Sequence, residues 1–189
     1  GRRGTDDGDR AGHEGPRVAG AMMILQMHGE PGSGKTTLAK ALASRIPAIH
    51  LDKDVITSAM MHVHIPKEVG GPASYEVLWD LSRSFLNQGH SVIIDSPAFW
   101  AVIEETGRGL AREMDVSYFM IETQCADTDE LDRRLATRER LLSNPELRYE
   151  GQRPGTREPS RDRLILDSTR PIEEMVKTAL EYLGVAVDA

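Results

Sequence analysis

Several things are scarce in this sequence, and each scarcity narrows the possibilities. There is one cysteine, Cys125, so no disulfide can form within the chain, and a reducing cytoplasm is the expected compartment. No apolar run approaches the length of a membrane span, and the first residues lack the apolar core of a signal peptide. Positive charge is not in excess: the formal net charge is −7, which argues against a broad duplex-binding surface and leaves only a local basic groove open. Aromatic residues are sparse at 5%, yet 39% hydrophobic and 28% charged residues make an ordinary globular balance. With 189 residues, the chain is long enough for one domain with a real core rather than two.

Residues 1–21 are rich in Gly, Arg and Asp and show no apolar periodicity, so they are expected to form a disordered tail, with residues 22–189 as the folded domain. The stretch directly after the tail organises the rest. A mostly apolar run from Met22 to His28 leads into Gly29-Glu30-Pro31-Gly32-Ser33-Gly34-Lys35-Thr36-Thr37, and an apolar-periodic helix begins at once. Glycines at Gly29 and Gly34 let the backbone curl so that successive N–H groups point at phosphate oxygens, and the helix that starts there adds its positive end. In that arrangement Lys35 reaches the β- and γ-phosphates and the Thr36 hydroxyl holds Mg²⁺. A glycine-rich turn merely joining strand to helix would share the spacing, but both flanking elements are present here, and they favour a nucleoside triphosphate site.

Further strands are predicted over Ala48–Leu51, Ser91–Asp95, Val116–Ile121 and Leu164–Asp167, alternating with helices. Pro66, Gly70, Gly71 and Pro72 predict a loop before the helix that carries Tyr75, Leu78, Trp79, Phe85 and Leu86. Asp127 with Glu130 three residues on predicts a capping box, opening a helix that carries Arg133, Arg134, Leu135, Arg138 and Arg140. Ser143 to Pro159 predicts a mobile loop, so residues 127–159 together form a candidate lid. The final helix begins at Pro171 and is closed by Gly184. Such alternation implies a three-layer α/β/α sandwich around a five-stranded parallel sheet, with ligands at the carboxyl ends of the strands.

Those strand ends carry carboxylates. Asp95 follows four apolar or small residues and is placed to orient Mg²⁺ or its water. Asp54, just beyond the second strand, is the candidate general base for phosphoryl transfer to a hydroxyl; Asp52 is either its helper or a helix cap. Arg134 and Arg138, four residues apart, would share one helical face and neutralise charge on the transferred group. Phe99, Trp100 and Trp79 either line an acceptor wall or belong to the core, the core being favoured. His50, His62 and His64 are scattered without the partners a metal site needs, and Cys125 lacks an activating context.

The phosphate loop, together with Leu51-Asp52-Lys53-Asp54 and Val92-Ile93-Ile94-Asp95, resembles a small P-loop kinase of the group that contains the zeta toxins, chloramphenicol phosphotransferase and the polynucleotide 5′-hydroxyl kinases, whose members are often called AAA-family ATPases. Leu131 to Arg138 is similar to that group's lid helix, and Leu166 to Pro171 to its adenine-side loop. The resemblance spans Met23 to Leu183 and implies a P-loop NTPase fold of the nucleoside-kinase type. It implies ATP with Mg²⁺, a small hydroxyl-bearing acceptor, Asp54 as base, residues Gly29 to Thr37 with Arg170 around the nucleotide, and Thr36 with Asp95 at the metal. Thr57 stands where many relatives place an arginine three residues after the base, which argues against a nucleic-acid end or a bulky anionic acceptor. The expected activity is transfer of the γ-phosphate to a small-molecule hydroxyl. A polynucleotide 5′-hydroxyl kinase and a non-catalytic ATP-dependent switch are the alternatives.

Overall fold

Strand β1 (Met23–His28) is buried along its whole length, and everything else is laid out on either side of it. In the computed structural model, which describes residues 22–97, 101–139, 141–143 and 162–185, β1 is the middle strand of a five-stranded parallel sheet. Its neighbours are β3 (Ser91–Asp95) and β4 (Ser117–Gln124), flanked in turn by β2 (Ala48–Asp52) and β5 (Leu164–Asp167). The order β2-β3-β1-β4-β5 means that the chain leaves β1 in one direction and later returns to its other side. That reversal opens a crevice above the carboxyl end of β1.

The continuous apolar character of β1 follows from burial on both faces. Alternate side chains divide between two cores, Met23, Leu25 and Met27 facing helices α1 (Lys35–Ala43) and α6 (Ile172–Tyr182). Ile24 faces the other way, into a cluster with Leu78, Trp79 and Leu86 of α3 (Lys67–Asn87) and Ile103 and Leu110 of α4 (Ala101–Glu113). Ile24, Leu25 and Met27 are fully buried, each stabilising the fold by roughly 1.5–3 kcal/mol. Buried Gln26 uses its amide to bond the Ser96 carbonyl at 3.3 Å and hydroxyl at 3.2 Å, tying down the chain where it leaves β3. The three-layer sandwich with five parallel strands is thus as expected from the alternating pattern. Among the described residues no helix is long and apolar enough to cross a membrane.

Two local expectations are corrected. Pro66 to Pro72 is not a loop: Pro66 caps α3, accepting bonds from the N–H groups of Val69 and Gly70, and the helix runs through Gly70, Gly71 and Pro72. Packing overrides propensity there, since α2 (Lys53–His62) lies against it. A Cβ on Gly70 would already stand 3.4 Å from that of Met60. Helix α5 (Thr128–Thr137) is capped by Asp127 as expected, but Glu130 does not complete a capping box. Its carboxylate is taken by Arg133 and Arg134 instead. The tail at 1–21 and most of the expected loop at 143–159 lie outside the described residues.

Candidate active site

The phosphate loop emerges from β1 with three glycines at positive φ: Gly29 at 134°, Gly32 at 84° and Gly34 at 91°. Gly29 has no room for a side chain, because a Cβ there would meet the Thr123 carbonyl at 2.3 Å. The loop closes on itself through Ser33 N–H to the Glu30 carbonyl at 3.1 Å, and Ser33 Oγ bonds Thr123 Oγ1 of β4 at 2.8 Å. Gly34 then caps α1, whose first turn has no acidic residue, so its positive end faces the crevice unopposed. Lys35 Nζ folds back to the Glu30 carbonyl at 3.0 Å.

Above the loop is a cleft of about 1150 Å³, lined by Lys35, Thr36, Asp52, Asp54, Asp95, Arg134 and Arg138 among others. The sequence-predicted residues are therefore brought together. Burial pushes the Lys35 ammonium down from its usual range; the charges of Asp95, Asp54 and Glu30 oppose that push, and Arg138 adds to it. All four charges therefore act at the lysine expected to meet the phosphates.

The carboxylates hold distinct positions. Asp52 is the cap of α2, its Oδ1 accepting the Asp54 N–H at 2.8 Å and that of Val55 at 3.4 Å. Its carboxyl is raised above the usual range, first by burial and then by the neighbouring Asp95. Asp54 lies in the first turn of the same helix with its side chain 34% exposed and 3.7 Å from Lys53 Nζ. Asp95 is buried at the end of β3, and His50 Nε2 approaches its Oδ2 at 3.1 Å. The candidate ligand atoms of His50, Asp52 and Asp95 all lie within 4.8 Å of one another. His50 is therefore not the isolated structural residue that the sequence suggested. Its partner is 45 positions away, and only the β2–β3 register, which sets Asp52 beside Asp95, brings them close.

The two arginines keep the expected one-turn spacing but differ in their partners. Helix α5 ends at Thr137, but the Arg138 N–H still bonds the Arg134 carbonyl at 3.1 Å and its φ of −68° is helical, so Arg138 stands one turn beyond Arg134 and both line the cleft. Arg134 donates to Glu130 at 2.7 Å and to the Ser168 hydroxyl and carbonyl at 2.9 Å each, fastening α5 to the loop after β5. Arg170, on that loop, also lines the cleft and pairs with Glu174 at 2.7 Å. Asp167, at the end of β5, turns away to bond Thr169. Arg140, Phe99 and Trp100 fall outside the described residues, while Trp79 is core, as favoured.

Residues 24–150 match the AAA_33 family, an AAA domain. No curated protein sequence matches the chain significantly. Among solved structures it is similar to an unliganded sugar kinase from Janibacter sp. HTCC2649, at 21% identity and a TM-score of 0.65, covering 88% of this chain and 96% of that one. It is also similar to the Mycobacterium tuberculosis APS kinase CysC in complex with AMPPNP and APS, at 18% identity and a TM-score of 0.64, covering 86% and 98%. A gluconokinase from Sinorhizobium meliloti 1021 is similar at 17% identity and a TM-score of 0.60, covering 88% and 93%. At these identities the likeness is one of fold. With the phosphate loop, the strand order and two thirds of its length matched, the chain belongs to the AAA_33 family of AAA domains, built on a P-loop kinase-like fold.

Proposed function

We propose that this chain is an ATP- and Mg²⁺-dependent phosphotransferase that moves the γ-phosphate to a hydroxyl of a small molecule. One observation carries the reading: the Asp54 carboxylate shares the cleft with the phosphate-loop lysine, and its charge acts on Lys35. A hydroxyl acceptor must lose its proton on transfer, and a carboxylate beside the phosphate-loop lysine is placed to take it.

In this reading the loop from Gly29 to Thr37 wraps the phosphates with its N–H groups, and Lys35 swings from the Glu30 carbonyl onto the β- and γ-oxygens. Arg170, which lines the same cleft, would meet the nucleotide. The acceptor oxygen attacks the γ-phosphorus as the bond to the β–γ bridging oxygen breaks, ADP departs, and Asp54 takes the acceptor proton. Arg138 counters charge on the transferred group, and Arg134 holds the lid helix to the Ser168 loop so that water is kept out. The donor set fits a magnesium ion. The Thr36 hydroxyl lines the cleft, and the Asp95 carboxylate is buried within reach of two further oxygen or nitrogen donors. Thr36 and Asp95 would hold it, and when bound it neutralises phosphate charge.

Support also comes from the sequence resemblance to the zeta toxin and chloramphenicol phosphotransferase group, and from the kinase names of the structural neighbours. The test is ADP release from Mg·ATP across a panel of nucleosides, sugars, sugar acids and antibiotics. Acceptor-stimulated turnover that Asp54→Ala abolishes supports the proposal. ATP binding with no acceptor response, and no effect of Asp54→Ala, would favour a nucleotide-dependent switch.

A further inference from the structure

The acceptor half of the cleft is not lined as a neutral hydroxyl compound would require. Two ammonium groups flank Asp54 there, from different helices. Lys53, on α2, has a side chain only 15% exposed and lies over the Tyr75 ring at 5.4 Å. Its nearest carboxylate, Asp54 at 3.7 Å, offsets part of its charge, and Asp52 adds a smaller share. Lys67, on α3, bonds the Ser143 carbonyl at 2.7 Å, and the Ser143 hydroxyl in turn bonds the Asp54 carbonyl at 2.9 Å. A carbonyl positions an ammonium without cancelling its charge. Both lysines line the same cleft as Asp54, and Lys67 is close enough for its charge to act on Lys53.

Lys53 is half-buried and Lys67 is exposed, and burial together with the charge of Lys67 opposes the charge of Lys53 beyond what Asp54 and Asp52 offset, so an anion seated between the two ammonium groups would be favoured. Thr57 cannot supply or complete such a site, because it is fully buried, with its hydroxyl bonded to Ser74 at 2.8 Å and to the Lys53 carbonyl at 3.0 Å. The cation that position 57 lacks comes instead from Lys67, through the helical turn whose local sequence has the character of a loop. Val55, 52% exposed, and Val102, 58% exposed, add apolar surface to the same cleft, which suits a short carbon skeleton.

We infer that the acceptor is a small hydroxyl-bearing anion, its carboxylate or phosphate held between Lys53 and Lys67 while its hydroxyl meets Asp54. This rests on the phosphotransferase reading, and refines it by naming the chemical class of the acceptor. Lys53 and Lys67 are specificity residues here, outside the proton and phosphate transfers themselves.

The experiment compares matched acceptors, namely glucose, gluconate and glucose 6-phosphate, and glycerol, glycerate and glycerol 3-phosphate. Each is read as kcat/KM with Mg·ATP in the native chain and in Lys53→Met, Lys67→Met, the double variant and the two Lys→Arg variants. The acidic member of a series is expected to exceed its neutral partner on the order of 10- to 100-fold, as charge-assisted bonds allow. Which acid wins separates carboxylate from phosphate. The Met variants should collapse that ratio toward one through KM, and the Arg variants should restore it.

A neutral member preferred in both series, or Met variants that lower kcat for acidic and neutral acceptors alike, would overturn the inference and make Lys53 only a partner of Asp54. Thermal shift by the same acids, measured with the phosphate loop filled by Mg·AMPPNP, separates the two levels. Stabilisation that the double Met variant loses, without turnover, keeps the anion site and removes the phosphotransferase reading. No stabilisation and no acidic preference removes the anion site.

Discussion

His50 and Asp95 meet at the carboxyl ends of adjacent strands, Nε2 to Oδ2 at 3.1 Å, with Asp95 buried and His50 half-buried. An imidazole in that place orients the carboxylate expected to hold magnesium or its water. Groups that steer a ligand in this way change metal affinity by about 10- to 100-fold. His50→Ala is therefore expected to raise the Mg²⁺ concentration giving half-maximal turnover by on the order of 10-fold, with ATP affinity less affected. A magnesium titration of both proteins at fixed ATP checks it.

Gly29 joins β1 to the phosphate loop where a side chain has no space. Gly29→Ala combines a Cβ clash with the Thr123 carbonyl and a φ of 134° that other residues rarely adopt. The expected result is a stability loss on the order of 1–3 kcal/mol, with nucleotide affinity falling as well. Urea unfolding and fluorescent-nucleotide titration measure the two.

Arg134 and Arg138 should separate in a way that their spacing in the sequence hides. Arg134 bonds both Glu130 and Ser168, so Arg134→Ala should lower the melting temperature as well as turnover. Arg138 lines the cleft and its charge acts on Lys35, so Arg138→Ala should act mainly on kcat, by on the order of 10²-fold or more. Melting curves and steady-state kinetics on the two variants distinguish fastening from charge neutralisation.

His28, at the end of β1, is pushed down to about 4 by burial, with the charge of Glu122 opposing and those of Lys35 and Arg163 assisting, and Glu104 a smaller opposing influence. It is neutral in the folded chain at pH values where the unfolded chain, near 6.5, takes up a proton. Its contribution is thus complete above pH 6.5 and is lost as pH falls toward 4, reaching roughly 3 kcal/mol at most. Unfolding free energies at pH 7, 6, 5 and 4.5 should decline in the native chain, and the decline should be shallower in His28→Gln.

Much of this site is legible in the sequence because its parts are local. The phosphate loop needs glycine where no Cβ fits, a lysine and a hydroxyl at fixed spacing, and a strand and helix to either side; all are contiguous. Asp54 and Asp95 are legible for a similar reason, since Asp95 ends an apolar strand and Asp54 stands two residues past the end of another. What escapes is set by register and packing. His50 finds Asp95 across the β2–β3 pair, and no spacing in the chain announces that. The Gly70-Gly71-Pro72 stretch has the local preferences of a loop, and only the close approach of Met60 makes it helical. Lys67 reaches the cleft as a consequence.

Phosphoryl transfer to a hydroxyl with Asp54 as base is tested most directly by following the label of [γ-³²P]ATP with native protein and with Asp54→Asn, in the presence of the best acceptor of the panel. With the native protein, label is expected in an organic phosphate ester. With Asp54→Asn that ester should be nearly absent while ATP affinity stays within about 3-fold, because the carboxylate serves proton removal rather than nucleotide binding. Label appearing only as inorganic phosphate, at the same rate in both proteins, would refute the transfer and the role of Asp54 together.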